Sequence, residues 1–257
     1  MRIISWNING VRSAAKRGFV DWVSRENPDV LCLNETKVQS DKLPSSLLNL
    51  TGGDEPYFSF WADAVRPGYS GVAVYSKTEP LEVRFLGVPE FDDEGRVLIA
   101  EYKDFSLIGT YFPNSRDGER LDYKLGFCAE ILRLCNSLAE KGRHFLLCGD
   151  YNIAHRPIDL ARPKENEGTS GYLPEERAWM DEFTGAGHVD TFRHFHQDEA
   201  GHYTWWSYRT EARMRNIGWR IDYNCVDRAF LPKVKSSLIR PDIHGSDHCP
   251  VEIVLDV

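Results

Sequence analysis

His144-Phe-Leu-Leu-Cys-Gly-Asp-Tyr-Asn152 is the stretch whose reading decides the fold. Phe145 to Cys148 form a short apolar run of the kind that fills a strand buried on both faces, and it stops at Gly149 ahead of two polar side chains, Asp150 and Asn152. Strand residues two apart point the same way, so a carboxylate and a carboxamide leave the strand end together. A base and an orienting amide around a water are what a hydrolytic site needs. Gly-Asp and Asn are also turn formers, and the stretch taken alone fits a plain turn equally well. Recurrence decides between the two readings.

Working outward, the same event repeats. Arg2 to Trp6 reads as a strand ending in Asn7-Ile8-Asn9-Gly10, and Val30 to Leu33 delivers Asn34-Glu35-Thr36-Lys37. Gly68-Tyr69-Ser70-Gly71 leads into the buried run Val72–Tyr75. The runs Arg96–Tyr102 and Ser106–Phe112 read as antiparallel meander strands, the second of them bringing out Tyr111 and Asn114. Ile221 to Val226 carries Asp222 at its start, and Asp247-His248 precedes an alternating strand from Val251 to Val257. Between these runs lie helical patterns: one amphipathic helix from Val11 to Val23 stopping near Asn27-Pro28, a long one from Leu121 to Leu138 closed by Lys141-Gly142, and Pro174 to Phe183. Ile153 to Gly171 has no periodicity and reads as a long ordered loop, a length that is uncommon unless functional.

The 257 residues contain no Pro/Gly/Ser-rich linker, low-complexity tract or repeat, so a single domain over 1–257 is expected. The N-terminus lacks a secretory apolar stretch and no segment approaches the roughly 20 apolar residues of a membrane span. A cytoplasmic protein without membrane contact, acting as a monomer, is the expectation. The six cysteines form no Cys-x-x-Cys and sit mostly in apolar runs, which suits reduced, buried thiols rather than a zinc site. A net charge of −8 argues at first against nucleic acid. Acids gathered around a cation leave room for a basic rim, however. Tyr203-Thr204-Trp205-Trp206-Ser207-Tyr208, followed by Arg209, Arg213, Arg215 and Arg220, suits base stacking and phosphate contact, or else a core strand and a solvated loop.

The strand-end polar residues are Asn7, Asn9, Glu35, Tyr111, Asn114, Asp150, Asn152, Asp222, Asp247 and His248. One such residue is an ordinary edge residue; a set spread over both halves of the chain suggests a sheet core that gathers them on one edge. Ser-Trp-Asn-Ile-Asn-Gly (5–10), Leu-Asn-Glu-Thr-Lys (33–37), Gly-Tyr-Ser-Gly-Val (68–72), Tyr-Phe-Pro-Asn (111–114), Gly-Asp-Tyr-Asn (149–152), Asp-Leu-Ala-Arg-Pro-Lys-Glu-Asn (159–166), Gly-Trp-Arg-Ile-Asp-Tyr (218–223) and Gly-Ser-Asp-His-Cys-Pro (245–250) follow one another in this order. With these motifs the sequence resembles, over essentially its full length, the exonuclease III family of apurinic/apyrimidinic endonucleases within the endonuclease–exonuclease–phosphatase superfamily.

The resemblance implies a four-layer α/β sandwich, two face-to-face mainly antiparallel sheets flanked by helices. It also implies cleavage, dependent on Mg²⁺ with Mn²⁺ able to substitute, of double-stranded DNA on the 5′ side of abasic sites. The 3′→5′ exonuclease and 3′-phosphodiesterase activities accompany it in relatives. Glu35, with Asn7 and Asp247, fits the metal site, since hard oxygen donors are what Mg²⁺ accepts; Asp150, Asn152 and His248 are candidate ligands of a second metal. Asp150 fits the group that takes the water proton, Asn152 fixes it, and His248 and Tyr111 donate to the phosphoryl oxygens. In an extended segment the side chains of 247 and 248 point to opposite faces, so the acid paired with His248 is expected to be Asp222. Lys37, Tyr69, Asn114, Asn166 and Arg209 are the implied DNA contacts, and Trp205, Trp219 and Ile221 the walls of an abasic-sugar pocket, or else core. Asn9 stands where some relatives carry Asp, and Thr169 where some carry Asn. Two alternatives share much of this set: a same-fold phosphatase on a non-nucleic-acid phosphoester, which has no need of the Asn166 loop or the Trp205–Trp219 segment, and a catalytically silent nucleic-acid-binding relative, which should lack a ligand or the His–Asp pair.

Overall fold

Buried apolar runs with no polar face can only be satisfied between two layers, and this chain has them in both halves. In the computed structural model, which describes residues 1–53 and 55–257, the strands are β1 (Arg2–Asn7), β2 (Val30–Asn34), β3 (Thr51–Gly52), β4 (Glu55–Pro56), β5 (Phe58–Ala62), β6 (Val72–Ser76), β7 (Glu82–Arg84), β8 (Val97–Glu101), β9 (Ser106–Tyr111), β10 (Phe145–Asp150), β11 (His188–Asp190), β12 (Asp222–Asp227), β13 (Val234–Ile239) and β14 (Val251–Leu255). They build one six-stranded sheet in the order β13-β14-β1-β2-β6-β5 and a second in the order β11-β12-β10-β9-β8-β7, while β3 and β4 form a small hairpin. Each large sheet has one parallel pair at its centre, β1 with β2 and β9 with β10, and its other pairings are antiparallel.

The strands alternate between an inner and an outer core, as the two-residue period demands. Ile3, Cys32, Val74, Leu107, Leu146, Cys148, Val226 and Ile253 meet between the sheets. Ile4, Leu31 and Ala73, one residue out of phase, pack outward with Phe19, Trp22 and Val23 of helix Phe19–Glu26. On the other side Ile108, Leu147 and Cys225 pack with Phe127, Ile131 and Cys135 of helix Leu121–Glu140 and with Trp179 and Phe183 of helix Pro174–Gly185. Helix, sheet, sheet, helix is the four-layer order expected. All six cysteines are buried and free, with Cys32 and Cys148 in the inter-sheet core. Among the described residues no helix is long and apolar enough to cross a membrane.

Several boundaries differ from the sequence reading for physical reasons. The pattern from Val11 to Val23 is two helices, Val11–Lys16 and Phe19–Glu26, because Gly18 takes φ +88° and breaks the ladder between them. The last strand alternates, with Ile253 and Leu255 in the inter-sheet core, but it ends at Leu255, and its out-facing Glu252 is covered by ion pairs to Arg2 and Arg240. The loop after Asn152 is ordered by the short turns Pro157–Asp159 and Pro163–Asn166. Tyr203–Tyr208 is no strand of a sheet: it is held by isolated bridges of Trp205 to Trp219 and to His248.

Candidate active site

The central parallel pairs both run toward the same edge, and their last residues build the site. Gly149 lies so close to β9 that a Cβ there would stand 1.8 Å from the Thr110 carbonyl oxygen; only glycine lets β10 set Asp150 down at this point. Asp150 is buried and both of its carboxylate oxygens accept hydrogen bonds, with one acceptor position of Oδ1 left over. Oδ1 accepts from the Asn152 backbone N–H at 2.8 Å, and Oδ2 accepts from Asn7 Nδ2 at 2.9 Å and Asn152 Nδ2 at 3.3 Å. Asn152 reaches back because it takes the left-handed conformation, φ +52°, which asparagine tolerates. Asn7 ends β1 of the opposite sheet, so one hydrogen bond joins the two sheets at the reacting edge.

His248 faces this carboxylate from the loop before β14. Its Nδ1 lies 2.8 Å from Asp222 Oδ2 at the start of β12, and its Nε2 lies 3.9 Å from Asp150 Oδ2. Ser246 and Thr204, which the sequence reading missed, hold the backbone around the pair: Ser246 Oγ donates to the Asn7 carbonyl at 2.8 Å and accepts from His248 N–H, and Thr204 Oγ1 accepts from the N–H groups of Ile221 and Asp222. Ser246 lies inside the 245–250 motif and Thr204 inside the aromatic run, but neither carries a further sequence signal. Asn34 at the end of β2 does, being another strand-end amide; its Nδ2 donates to the Thr110 carbonyl at 2.9 Å.

The electrostatics follow from burial and crowding. Burial lowers the His248 pKa, but the charges of Asp222 and then Asp150 outweigh it and raise the imidazole to about 10. Burial, then repulsion from Asp222, raises the Asp150 carboxyl to about 7 against the opposing pull of His248. Burial also acts to raise Asp247, yet His248 and hydrogen bonds from Asn9 and Trp205 hold it below the usual carboxylate range. The Tyr111 phenol is pushed well above its ordinary value by burial and by the charges of Glu35 and Asp150, so it remains a donor.

These groups open onto a cavity of about 410 Å³ lined by Asn9, Glu35, Tyr111, Asn114, Asp150, Asn152, Asn166, Asp247 and His248 together with Trp205, Trp219 and Ile221. Asp117, Thr169, Ser170 and Gly171 complete the lining. Gly171, at φ +89°, passes so near the Trp219 ring that a Cβ would come within 3.3 Å of it. The two tryptophans are only partly buried and rest on Ala154, Leu160, Tyr172 and Ile221. They therefore serve as a wall and as the top of a small apolar cluster at once.

Around the cavity the charged residues divide into site and scaffold. Lys37 Nζ lies 2.9 Å from Glu35 Oε1 and donates to Asn9 Oδ1 at 2.6 Å, while Asn9 Nδ2 donates to Asp247 Oδ1 at 2.9 Å. An amide at position 9 can serve both neighbours, whereas a carboxylate there would face Asp247 with no proton to give. Thr169 donates its hydroxyl to the Asn166 carbonyl at 2.8 Å, and Asn166 Nδ2 donates to the carbonyl of Arg162. Tyr69 does not line the cavity: its hydroxyl accepts from Arg120 at 2.6 Å and Arg96 at 3.1 Å. Arg209 is exposed on the turn Arg209–Glu211, away from the cavity lining. Two other arginines of that segment are structural, contrary to the phosphate-contact reading. Arg220 is fully buried between Asp159 and Asp190, and Arg213 donates to the carbonyls of Ser246 and Pro241.

A metal ion has hard donors to meet here. Among the described residues, Asp150, Asp222 and His248 are the group whose ligand atoms all lie within 4.8 Å of one another, and Asp222 Oδ1 is buried without a hydrogen-bond partner. Glu35 opens onto the cavity from φ +57°, a conformation that a glutamate adopts only under constraint. Asn7 and Asp247, read with Glu35 as ligands, are already engaged: Asn7 Oδ1 accepts from Asn9 N–H, and the Asp247 oxygens accept from Asn9 and Trp205. The donors are oxygens and one imidazole, which fits a hard divalent cation and not a thiolate-bound one.

The sequence pattern of the Endonuclease/Exonuclease/phosphatase family matches residues 4–248. The chain belongs to this family. Its relatives within it include an exodeoxyribonuclease of Bacillus subtilis (strain 168), 42% identical over the full length of both chains, and the DNA repair nuclease APEX1 of Danio rerio, 44% identical over all of this chain and 83% of that one. Solved structures of similar shape include an AP endonuclease from Archaeoglobus fulgidus, with TM-score 0.87 and 28% identity, and a 3′-5′ exonuclease from Neisseria meningitidis, with TM-score 0.89 and 28% identity, each covered in full by the full chain. The strand order and the Asp150–His248–Asp222 arrangement described above are thus those of one chain within a family of metal-dependent phosphoester hydrolases.

Proposed function

We propose that this protein is a DNA-repair endonuclease that hydrolyses the phosphodiester on the 5′ side of abasic sites in double-stranded DNA and leaves a 3′-hydroxyl. By the same chemistry it acts as a 3′→5′ exonuclease and a 3′-phosphodiesterase, as a monomer in the cytoplasm. The observation that carries the reading is the placement of Asp150, paired across 3.9 Å with a His248–Asp222 couple, in a cavity walled by Trp205, Trp219 and Ile221. A relative with a DNA repair name at 44% identity and a similar structure titled a 3′ phosphatase bound to product DNA hairpin support DNA as the substrate. A phosphatase for small phosphoesters has no use for the tryptophan wall.

Asp150 takes the proton of the attacking water, with its lone pairs oriented by Asn7 and Asn152; the water oxygen bonds to phosphorus as the bond to the 3′ oxygen breaks. His248 carries a positive charge at neutral pH, and an imidazolium has no lone pair for a metal. It therefore donates to a phosphoryl oxygen, as does Tyr111. Glu35, with Asn7 and Asp247 about it, would hold Mg²⁺ or Mn²⁺, leaving Asp150, Asn152 and His248 for any second ion once His248 is neutral. Bound there, the ion supplies charge compensation on the phosphoryl and leaving oxygens.

The test is incubation of a duplex carrying one abasic analogue with Mg²⁺, with Mn²⁺ and with EDTA. Cleavage is expected in both metals and none in EDTA, and Glu35→Ala should raise the Mg²⁺ requirement by at least ~100-fold, the scale at which even the partners of ligands act. Undiminished cleavage in EDTA would remove the mechanism.

Selection of a bare sugar is the second expectation. Extruding a nucleotide that has lost its base is cheaper by a few kcal/mol, and the rigid Trp205, Trp219 and Ile221 walls leave little room for a base. Trp219→Ala should remain folded and narrow the ratio of abasic to undamaged cleavage. A variant that melts early by ~3–5 kcal/mol, as for a buried aromatic lost from a core, and keeps its full preference would assign Trp219 to the core instead.

A further inference from the structure

Beneath the site lies an ion pair that the hydrolytic reading does not use. Lys124, in the first turns of helix Leu121–Glu140, and Glu176, at the start of helix Pro174–Gly185, meet at 2.7 Å with both side chains wholly inaccessible to solvent. The sequence gives a local reason for the glutamate. Three residues after Leu173, Glu176 Oε2 accepts from the Leu173 N–H at 2.9 Å, the capping contact that a glutamate makes at a helix start. Such a residue is ordinarily solvated. Here its other oxygen is turned inward.

Where the remaining valences go is the informative part. Lys124 Nζ donates to the backbone carbonyl of Asn152 at 2.7 Å. Glu176 Oε1 lies 2.8 Å from Ser115 Oγ, Ser115 Oγ lies 2.6 Å from Ser170 Oγ, and Ser170 Oγ lies 3.0 Å from Asn114 Oδ1, so that two hydroxyl protons are shared among three contacts. The circuit closes on the site, because Asn114 Nδ2 reaches Asn152 Oδ1 at 3.3 Å and the Asn152 N–H holds Asp150 Oδ1 at 2.8 Å. Asn152 is in the left-handed conformation and packs against Gly171, where an added Cβ would come within 3.2 Å of the Asn152 carbonyl. Its carbonyl is thus confined on one side and bonded by an ammonium on the other.

We propose that the buried Lys124–Glu176 pair is the positioning element of the hydrolytic site, with Lys124 fixing the Asn152 turn and Glu176, through Ser115 and Ser170, fixing Asn114. Two outer-layer helices that touch no substrate thereby set the amides beside Asp150. A mere staple between helices would be served as well by an apolar pair, since buried ion pairs are often neutral or inferior to one in stability. A staple also gives no reason for the contacts to Asn152 and Ser115. The inference rests on the proposed hydrolytic role of Asp150, and it concerns what holds that role in place.

The experiment uses the full chain and four variants: Lys124→Met, Glu176→Gln, Ser115→Ala, and Leu132→Ala as a packing control on the same long helix, in its core and outside the circuit. Melting temperature, kcat and KM on an abasic duplex with Mg²⁺, and amide hydrogen exchange at Asn152 are read for each. Lys124→Met should lose on the order of 10²-fold in kcat, the scale of a small misplacement of reacting groups, with KM little changed and faster exchange at the Asn152 amide. Leu132→Ala, destabilised as a cavity mutant, should keep its kcat and its Asn152 protection. If Lys124→Met behaves like Leu132→Ala in kcat and exchange, the pair is a staple and the proposal is overturned. Should Lys124→Met not fold, Glu176→Gln and Ser115→Ala decide it: a fall in kcat with faster Asn152 exchange supports the positioning role, and unchanged values in both overturn it. A wild-type chain that fails to cut abasic DNA would fail the functional reading, while the exchange measurement still tests the positioning of Asn152.

Discussion

Asp150→Asn is expected to lower turnover on an abasic duplex by roughly 10²–10⁴-fold, the range that a positioned proton acceptor contributes, with DNA affinity equal to or above that of the wild type. The carboxylate accepts from Asn7, from the Asn152 N–H and from Asn152 Nδ2. An amide can accept on one side only, so one of those donors is left facing another donor in a buried place, and the group loses its proton affinity altogether. Binding should not suffer, because a negative charge beside the incoming phosphate has been removed. Two outcomes would sink the assignment. Cleavage within a few-fold of wild type would show that the water proton goes elsewhere, and a loss of binding equal to the loss of rate would make Asp150 a substrate contact rather than a base.

Much of this arrangement was legible before any coordinates. Short apolar runs that end in Asn, Asp, Glu or His mark strands whose last residues share an edge, and the alternation of side-chain direction at Asp247 and His248 places the acid partner of the imidazole on another strand, where Asp222 stands at 2.8 Å. What was not legible is the sorting of charges. Arg209, Arg213 and Arg220 look alike in sequence, yet one is exposed, one clamps the carbonyls ahead of Asp247, and one is sealed between Asp159 and Asp190. Burial of Arg220 is decided by acids 30 and 61 positions away, and no local pattern carries that information. For the same reason no local pattern marks Lys124 and Glu176 as a buried pair, or assigns Ser246 and Thr204 their hydrogen bonds. The metal question has the same root. Glu35, Asn7 and Asp247 are the hard donors that chemistry would choose, but hydrogen bonds from Asn9 and Trp205, fixed only by the tertiary structure, decide which of their oxygens are already engaged.

Asp222→Asn should shift the whole pH–rate profile downward. In the wild type the base must be ionised and the imidazole charged. Asp150 is raised to about 7, so rate is present above that pH and falls as pH drops through it; His248 is raised to about 10, so rate is present below that pH and falls as pH climbs through it. A bell between these limits is the expected profile, with the limbs belonging to the coupled pair rather than to either group alone. Asp222 enters both limbs. Behind the lowering effect of burial it is the larger of the charges that raise His248, and after burial it is the main charge that raises Asp150. Replacing it by an amide should draw the alkaline limb down by roughly one to three pH units, the usual effect of one opposite charge at contact, and draw the acid limb down with it. At pH 9 the variant then combines a largely neutral imidazole with a lost orienting bond to Nδ1, and a deficit on the order of 10²–10³-fold, that of one missing charge-stabilising donor, is expected. Near pH 7 more of the imidazole is charged and more of the Asp150 carboxyl is ionised than in the wild type, so the deficit there should be smaller. An unmoved alkaline limb would mean that Asp222 only holds the ring in place, and that the charge on His248 is set by Asp150 across 3.9 Å.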